Sequence, residues 1–66
     1  MQSLDLKKAV EGKIDTTNFH VQLFRIIFKA DSYNKELLRK GFPNAVAMAE
    51  EYLKSGIISD LPYDYE

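Results

Sequence analysis

Apolar positions crowd most densely over residues 19–30, FHVQLFRIIFKA. Phe19, Leu23, Ile26, Ile27 and Ala30 recur at helical spacing, and Val21, Phe24 and Phe28 widen that stripe sideways. Only Gln22, Arg25 and Lys29 form a polar strip, the side expected to meet water. Strict alternation fails at Leu23-Phe24 and across Ile26-Ile27-Phe28, and the length of the run favours helix over strand. A helix apolar around so much of its circumference needs cover on several sides. The spacing therefore assigns it the central place in the fold.

The flanking patterns are shorter. Leu4, Leu6, Ala9 and Val10 give residues 4–11 an apolar edge, with Ser3 as the expected N-cap and Gly12 suited to the left-handed position after the last turn. Ile14 is expected to anchor the following linker, and Asp15, Thr16 or Thr17 to cap the central helix. At residues 30–34, ADSYN, two readings stand. Either Asp31 or Ser32 caps a new helix over residues 33–40, or the central helix runs on with Tyr33, Leu37 and Leu38 in phase with its stripe; the break is preferred. Gly41-Phe42-Pro43 punctuates the chain, because glycine ends a helix and proline suits the first turn of the next. That helix runs to about Lys54, with Ala45, Met48, Ala49, Tyr52 and Leu53 on one face, small Ala45, Ala47 and Ala49 admitting a close neighbour, and Glu50 placed to pair with Lys54. Ser55-Gly56 stops it, and Ile57-Ile58 docks as a cap. The expected fold is all-α, a small bundle of three main helices plus a short N-terminal helix, with residues 1–58 as one domain and residues 59–66 as an acidic tail with little left to pack.

Length sharpens this picture. A chain of 66 residues buries only about 60 % of its unfolded surface and is marginal by itself. It has no cysteine and one histidine, so neither a disulfide nor a metal is expected to staple it, and oligomerisation or unusually good helix packing is the remaining support. With 45 % hydrophobic and 29 % charged residues the composition is globular. No apolar run of membrane-spanning length and no secretory leader pattern is present, and the cytoplasm is the expected location.

The net charge of −1 hides an asymmetry. Residues 25–40 carry Arg25, Lys29, Lys35, Arg39 and Lys40 against Asp31 and Glu36, whereas residues 41–66 carry Lys54 against Glu50, Glu51, Asp60, Asp64 and Glu66. Such polarity suits attraction within the chain or between copies, beside the plainer reading of solvated helix faces.

Catalytic chemistry finds little support. His20 lies inside the apolar arc without a nucleophile or second ligand. Each serine sits at a cap, turn or tail, and the glycines match no phosphate-binding loop. No enzyme activity, cofactor or metal is expected. A helix-turn-helix reading is opposed by the acidic balance and by an apolar, acidic last helix where bases would be read. A second copy or another protein is thus the expected partner, with a small nucleic-acid-binding or regulatory helical protein as the second reading, and no membrane role is expected. A surplus of apolar surface marks an interface. The candidate interface is Val21, Phe24 and Phe28, meeting its counterpart in a homodimer.

Phe19-His20, Leu23-Phe24, Lys29-Ala30-Asp31, Asn34, Leu38 and Gly41-Phe42-Pro43, taken together, resemble small uncharacterised helical proteins of bacterial, phage and prophage genomes over residues 19–43. The resemblance implies a compact accessory protein acting by contact and supplies no functional residues. It also suggests a structural polar network of His20, Asp31 and Asn34 with the Gly41–Pro43 turn, by which Asn34→Ala would lower thermal stability more than Asn44→Ala.

Overall fold

The computed structural model describes residues 1–12 and 17–65. Among them are four helices and no strand: α1 (Gln2–Val10), α2 (Phe19–Lys29), α3 (Ser32–Gly41) and α4 (Pro43–Ser55). The all-α class follows the apolar spacing, and the physical reasons lie at the helix ends.

Helix α2 starts at Asn18, whose Oδ1 accepts from the N–H groups of His20 and Val21 at 2.9 and 3.1 Å. These are donors that a first turn leaves without a partner. Thr17 is therefore not the cap, and Ile14, Asp15 and Thr16 lie outside the described residues. Helix α2 ends at Lys29 because Ala30 and Asp31 are extended, and Asp31 Oδ1 accepts from the Asn34 N–H at 2.8 Å to open α3. The chain breaks where a capping side chain competes with helix continuation. Gly12 and Gly56 both take a φ of 76°, the left-handed conformation that glycine adopts without a Cβ clash. Pro43 occupies the first turn of α4, where a missing N–H costs nothing.

The core joins Leu6 and Ala9 of α1, Val21, Leu23, Phe24 and Ile27 of α2, and Ala45, Val46, Met48 and Ala49 of α4. Ala45 and Ala49 keep the backbone of α4 accessible to bulky neighbours, as their size suggested. Val46 takes the inward place expected of Leu53, which is exposed, as is Ala47. Helix α3 contributes no buried residue; it leans on α4 through Leu38 and through Phe42 at its end.

Two expectations are corrected. The buried side of α2 centres on Val21, Phe24 and Ile27, each with no accessible surface, while Phe19 and Ile26 stand open at 60 % and 54 %. The sideways positions are thus the inward face, because α1 and α4 both pack on α2 and together cover the wider part of its circumference. Residues 59–65 are also not a loose tail. Ile58 and Leu61 pack on the core edge, and the segment forms a strap across the helix ends. The radius of gyration of 10.7 Å matches the ~10.8 Å that scaling gives a fully packed chain of this length.

Candidate functional site

Helix α3 packs chiefly on α4, so an open cleft of about 420 Å³ remains between α3 and the last turn of α2. Ile26, Ala30, Leu37 and Leu38 wall it, with Lys29 and Asn34 as its polar members. Ile26 and Leu37 are about half exposed, and Tyr33 is exposed on the same helix as Leu37. This is apolar surface that the chain leaves uncovered beside a cation.

The expected interface residues occupy other ground. Val21 and Phe24 lie wholly inside the core, and Phe28 packs at its margin with its ring 6.2 Å from that of Tyr52. None of the three faces the cleft. The expected network is divided as well. Asp31 binds the backbone of Asn34, whose residue is exposed, whereas His20 sits in the first turn of α2, separated from Lys29 by about 14 Å of helical rise. His20 instead meets the ring of Tyr63 at 4.5 Å and that of Phe19 at 5.2 Å.

A different polar network ties the strap to the helices. Asp5 is only 7 % exposed, yet its carboxylate accepts from Tyr63 OH at 2.7 Å and from Asn18 Nδ2 at 2.9 Å. The carboxylate favours the neutral, donating phenol and, with burial, pushes the Tyr63 pKa up to about 12. Gln2, 1 % exposed, donates through Nε2 to the Leu61 and Pro62 carbonyls, both at 3.0 Å. The strap's acids cap two helices. Asp60 Oδ1 accepts from the Ser3 N–H at 3.0 Å, and Asp64 accepts from Asn44 and Ala45 N–H at 2.8 and 3.1 Å. Ser3 thus lies inside α1 as a backbone donor, not as its cap.

Sequence reasoning missed these partners, but a signal for them exists. Met1 and Phe42 stand at the N-caps of α1 and α4 without a capping side-chain bond. A helix start without its own acceptor calls for one from elsewhere, and a carboxylate there also complements the helix dipole.

The basic stretch is not one patch. Arg39 binds both oxygens of Glu50 at 2.8 Å and also grips Glu36, clasping α3 to α4. Its hydrogen bonds hold both carboxyls below the usual range. Glu50 therefore pairs across helices and not with Lys54, because a planar guanidinium fits a carboxylate in two places where an ammonium fits in one. Among the described residues no cluster of three acidic, histidine or cysteine side chains could hold a metal ion, and no helix is long and apolar enough to cross a membrane. No protein-family model, no curated protein and no solved structure matches this chain.

Proposed function

We propose that this chain is a small cytoplasmic protein-interaction module that associates with a second copy of itself through the cleft between α2 and α3, an accessory protein acting by contact. The observation that carries this reading is the half-open apolar wall of Ile26 and Leu37 beside Lys29. Helix α4 offers the complement: Leu53 is exposed on the acidic half of the chain. In a two-fold pair each copy presents both surfaces, so the cleft of one receives the Leu53 edge of the other. Burial of the apolar wall supplies the attraction, and the charges set orientation and partner choice.

Sedimentation equilibrium up to about 1 mM tests the reading, since weaker association contributes less than ~4 kcal/mol. The wild-type chain is expected to dimerise. Leu37→Glu and Leu53→Glu each abolish the dimer. A wild-type chain that stays monomeric across that range refutes self-association.

A further inference from the structure

One apolar pattern in the chain is not used as a whole by the fold. Phe19, Leu23, Ile26, Ala30, Tyr33 and Leu37 follow one another at alternating steps of four and three residues, the repeat of a seam along which one helix packs on another. The repeat passes straight through the junction of α2 and α3. Leu23 lies in the core and Ala30 is partly covered, but Phe19, Ile26, Tyr33 and Leu37 are all exposed. The break at Ala30-Asp31 keeps them from forming one continuous surface.

Little in the local backbone opposes straightening of that junction. It holds neither glycine nor proline, and φ is −69° at Ala30 and −71° at Asp31, values a helix also has. Only ψ, at 138° and 175°, departs from the helical range. The Ala30 N–H already donates to the Ile26 carbonyl at 3.0 Å, as in a continuing helix. Asp31 secures the break by accepting from the Asn34 N–H at 2.8 Å. Turning the two ψ angles lets the N–H groups of residues 31–34 donate to the carbonyls of residues 27–30, which makes one helix of residues 19–41.

The packing divides at the same place. Helix α1 lies chiefly against α2 and α3 chiefly against α4, so two helix pairs meet across the junction. The core joins α4 to α1 and α2, and the strap bonds Ser3 and Asp5 of α1. Straightening therefore lifts α4 and the strap off α1 and α2. It opens a face shaped for α4 and the strap, which a second copy of this chain supplies.

We propose that this chain forms an exchanged dimer in which α2 and α3 fuse into one continuous helix, the α4 and strap of each copy pack on the α1–α2 pair of the other, and the seams of the two long helices face each other. Exchange remakes the core and strap contacts between copies, so the longer helix and the seam are added to them. At low concentration the intramolecular packing prevails. The exchanged dimer is distinct from the cleft pairing of closed chains, since Ile26 and Leu37 serve only one of the two at a time, and it does not rest on that pairing.

Leu53→Glu separates the two, because it removes the cleft pairing and lies off the seam. Exchange requires the core to open, so the Leu53→Glu chain is refolded from urea at about 1 mM and its mass is measured by sedimentation. The ¹³Cα shifts of Ala30 and Asp31 report the junction. A dimer is expected, with extended shifts in the monomer and helical shifts in the dimer. Adding Asp31→Ala removes the cap and is expected to raise the association constant about 25-fold, roughly fivefold for each of two junctions. Adding Ser32→Pro suits the first turn of α3 but not the interior of a continuous helix, and is expected to abolish the dimer while the monomer keeps its helical circular dichroism. Adding Tyr33→Glu, at a residue exposed in the closed chain, is expected to abolish it as well. Only monomer for both Leu53→Glu and its Asp31→Ala variant, a dimer whose junction shifts stay extended, or undiminished dimer with Ser32→Pro overturns the proposal. A wild-type dimer that Leu53→Glu removes, with no exchanged species after refolding, sinks the exchange and leaves the cleft pairing standing; the reverse result does the opposite.

Discussion

Replacing Tyr63 with Phe removes a single oxygen and isolates the bond between the strap and α1. In the wild-type chain Tyr63 OH donates to Asp5 Oδ2 at 2.7 Å, and Asp5 keeps Asn18 on its other oxygen. The rise of the phenol from 10.0 to about 12 corresponds to ~2.7 kcal/mol for a pair sealed from water. Tyr63 is only partly buried, and screening reduces this to about 1–1.5 kcal/mol. In a domain of this size that lowers Tm by roughly 4–12 °C. The pH dependence has a definite sign. A phenol with a raised pKa binds its proton more tightly in the folded chain, so its contribution is complete below pH 10 and disappears as pH rises towards 12. Urea melts of wild type and Tyr63→Phe at pH 7, 9, 10, 11 and 12 give the difference directly, and the lysines and other tyrosines cancel in the subtraction. Asp5→Asn in a double-mutant cycle assigns the coupling to this pair. A difference near zero at pH 7, or one unchanged up to pH 12, refutes the assigned hydrogen bond.

Three further outcomes are expected. Phe24→Ala opens a cavity in the core and costs about 3–5 kcal/mol, most of the ~3–10 kcal/mol such a chain possesses, whereas Ile26→Ala stays within about 0.5 kcal/mol; comparable circular dichroism melts for the two would contradict the assignment of the inward face. Asn44→Ala loses the bond to Pro62 and about 1 kcal/mol, while Asn34→Ala loses no side-chain bond among the described residues, so the stability order expected from sequence reverses; equal Tm values would contradict this. Glu50→Gln weakens the Arg39 clasp and lowers Tm at pH 7, and Lys54→Gln does not. Because the Glu50 carboxyl titrates below 4.5, the advantage of wild type over Glu50→Gln is present above that pH and fades as acid protonates it; a Lys54 effect of equal size would show the pairing to lie within α4.

The four helices were legible in the residues because helical spacing, caps and glycine stops act over a few positions. Asp31 reads as a cap, Gly12 and Gly56 as left-handed stops, and Pro43 as a first-turn residue, each by local chemistry. The width of the apolar surface on α2 was also legible. Its orientation was not: Phe24 and Ile26 are both apolar, and only the approach of α1 and α4 decides that one is enclosed and the other faces the cleft. Local spacing likewise offered Lys54 to Glu50, and the crossing of α3 over α4 gave Glu50 to Arg39.

The C-terminal strap marks the same division most clearly. Proline, alternating acids and two tyrosines leave residues 60–65 without a helical or strand pattern, and by composition alone the segment resembles a solvated tail. It is ordered through contacts to Gln2, Asp5 and Asn44, at sequence separations from 18 to 60 residues. Short-range periodicity carries the identity of each helix, since backbone hydrogen bonds join neighbours in the chain. Which acid caps which distant helix depends on the positions of all four helices at once, so that pairing exists only in the folded molecule.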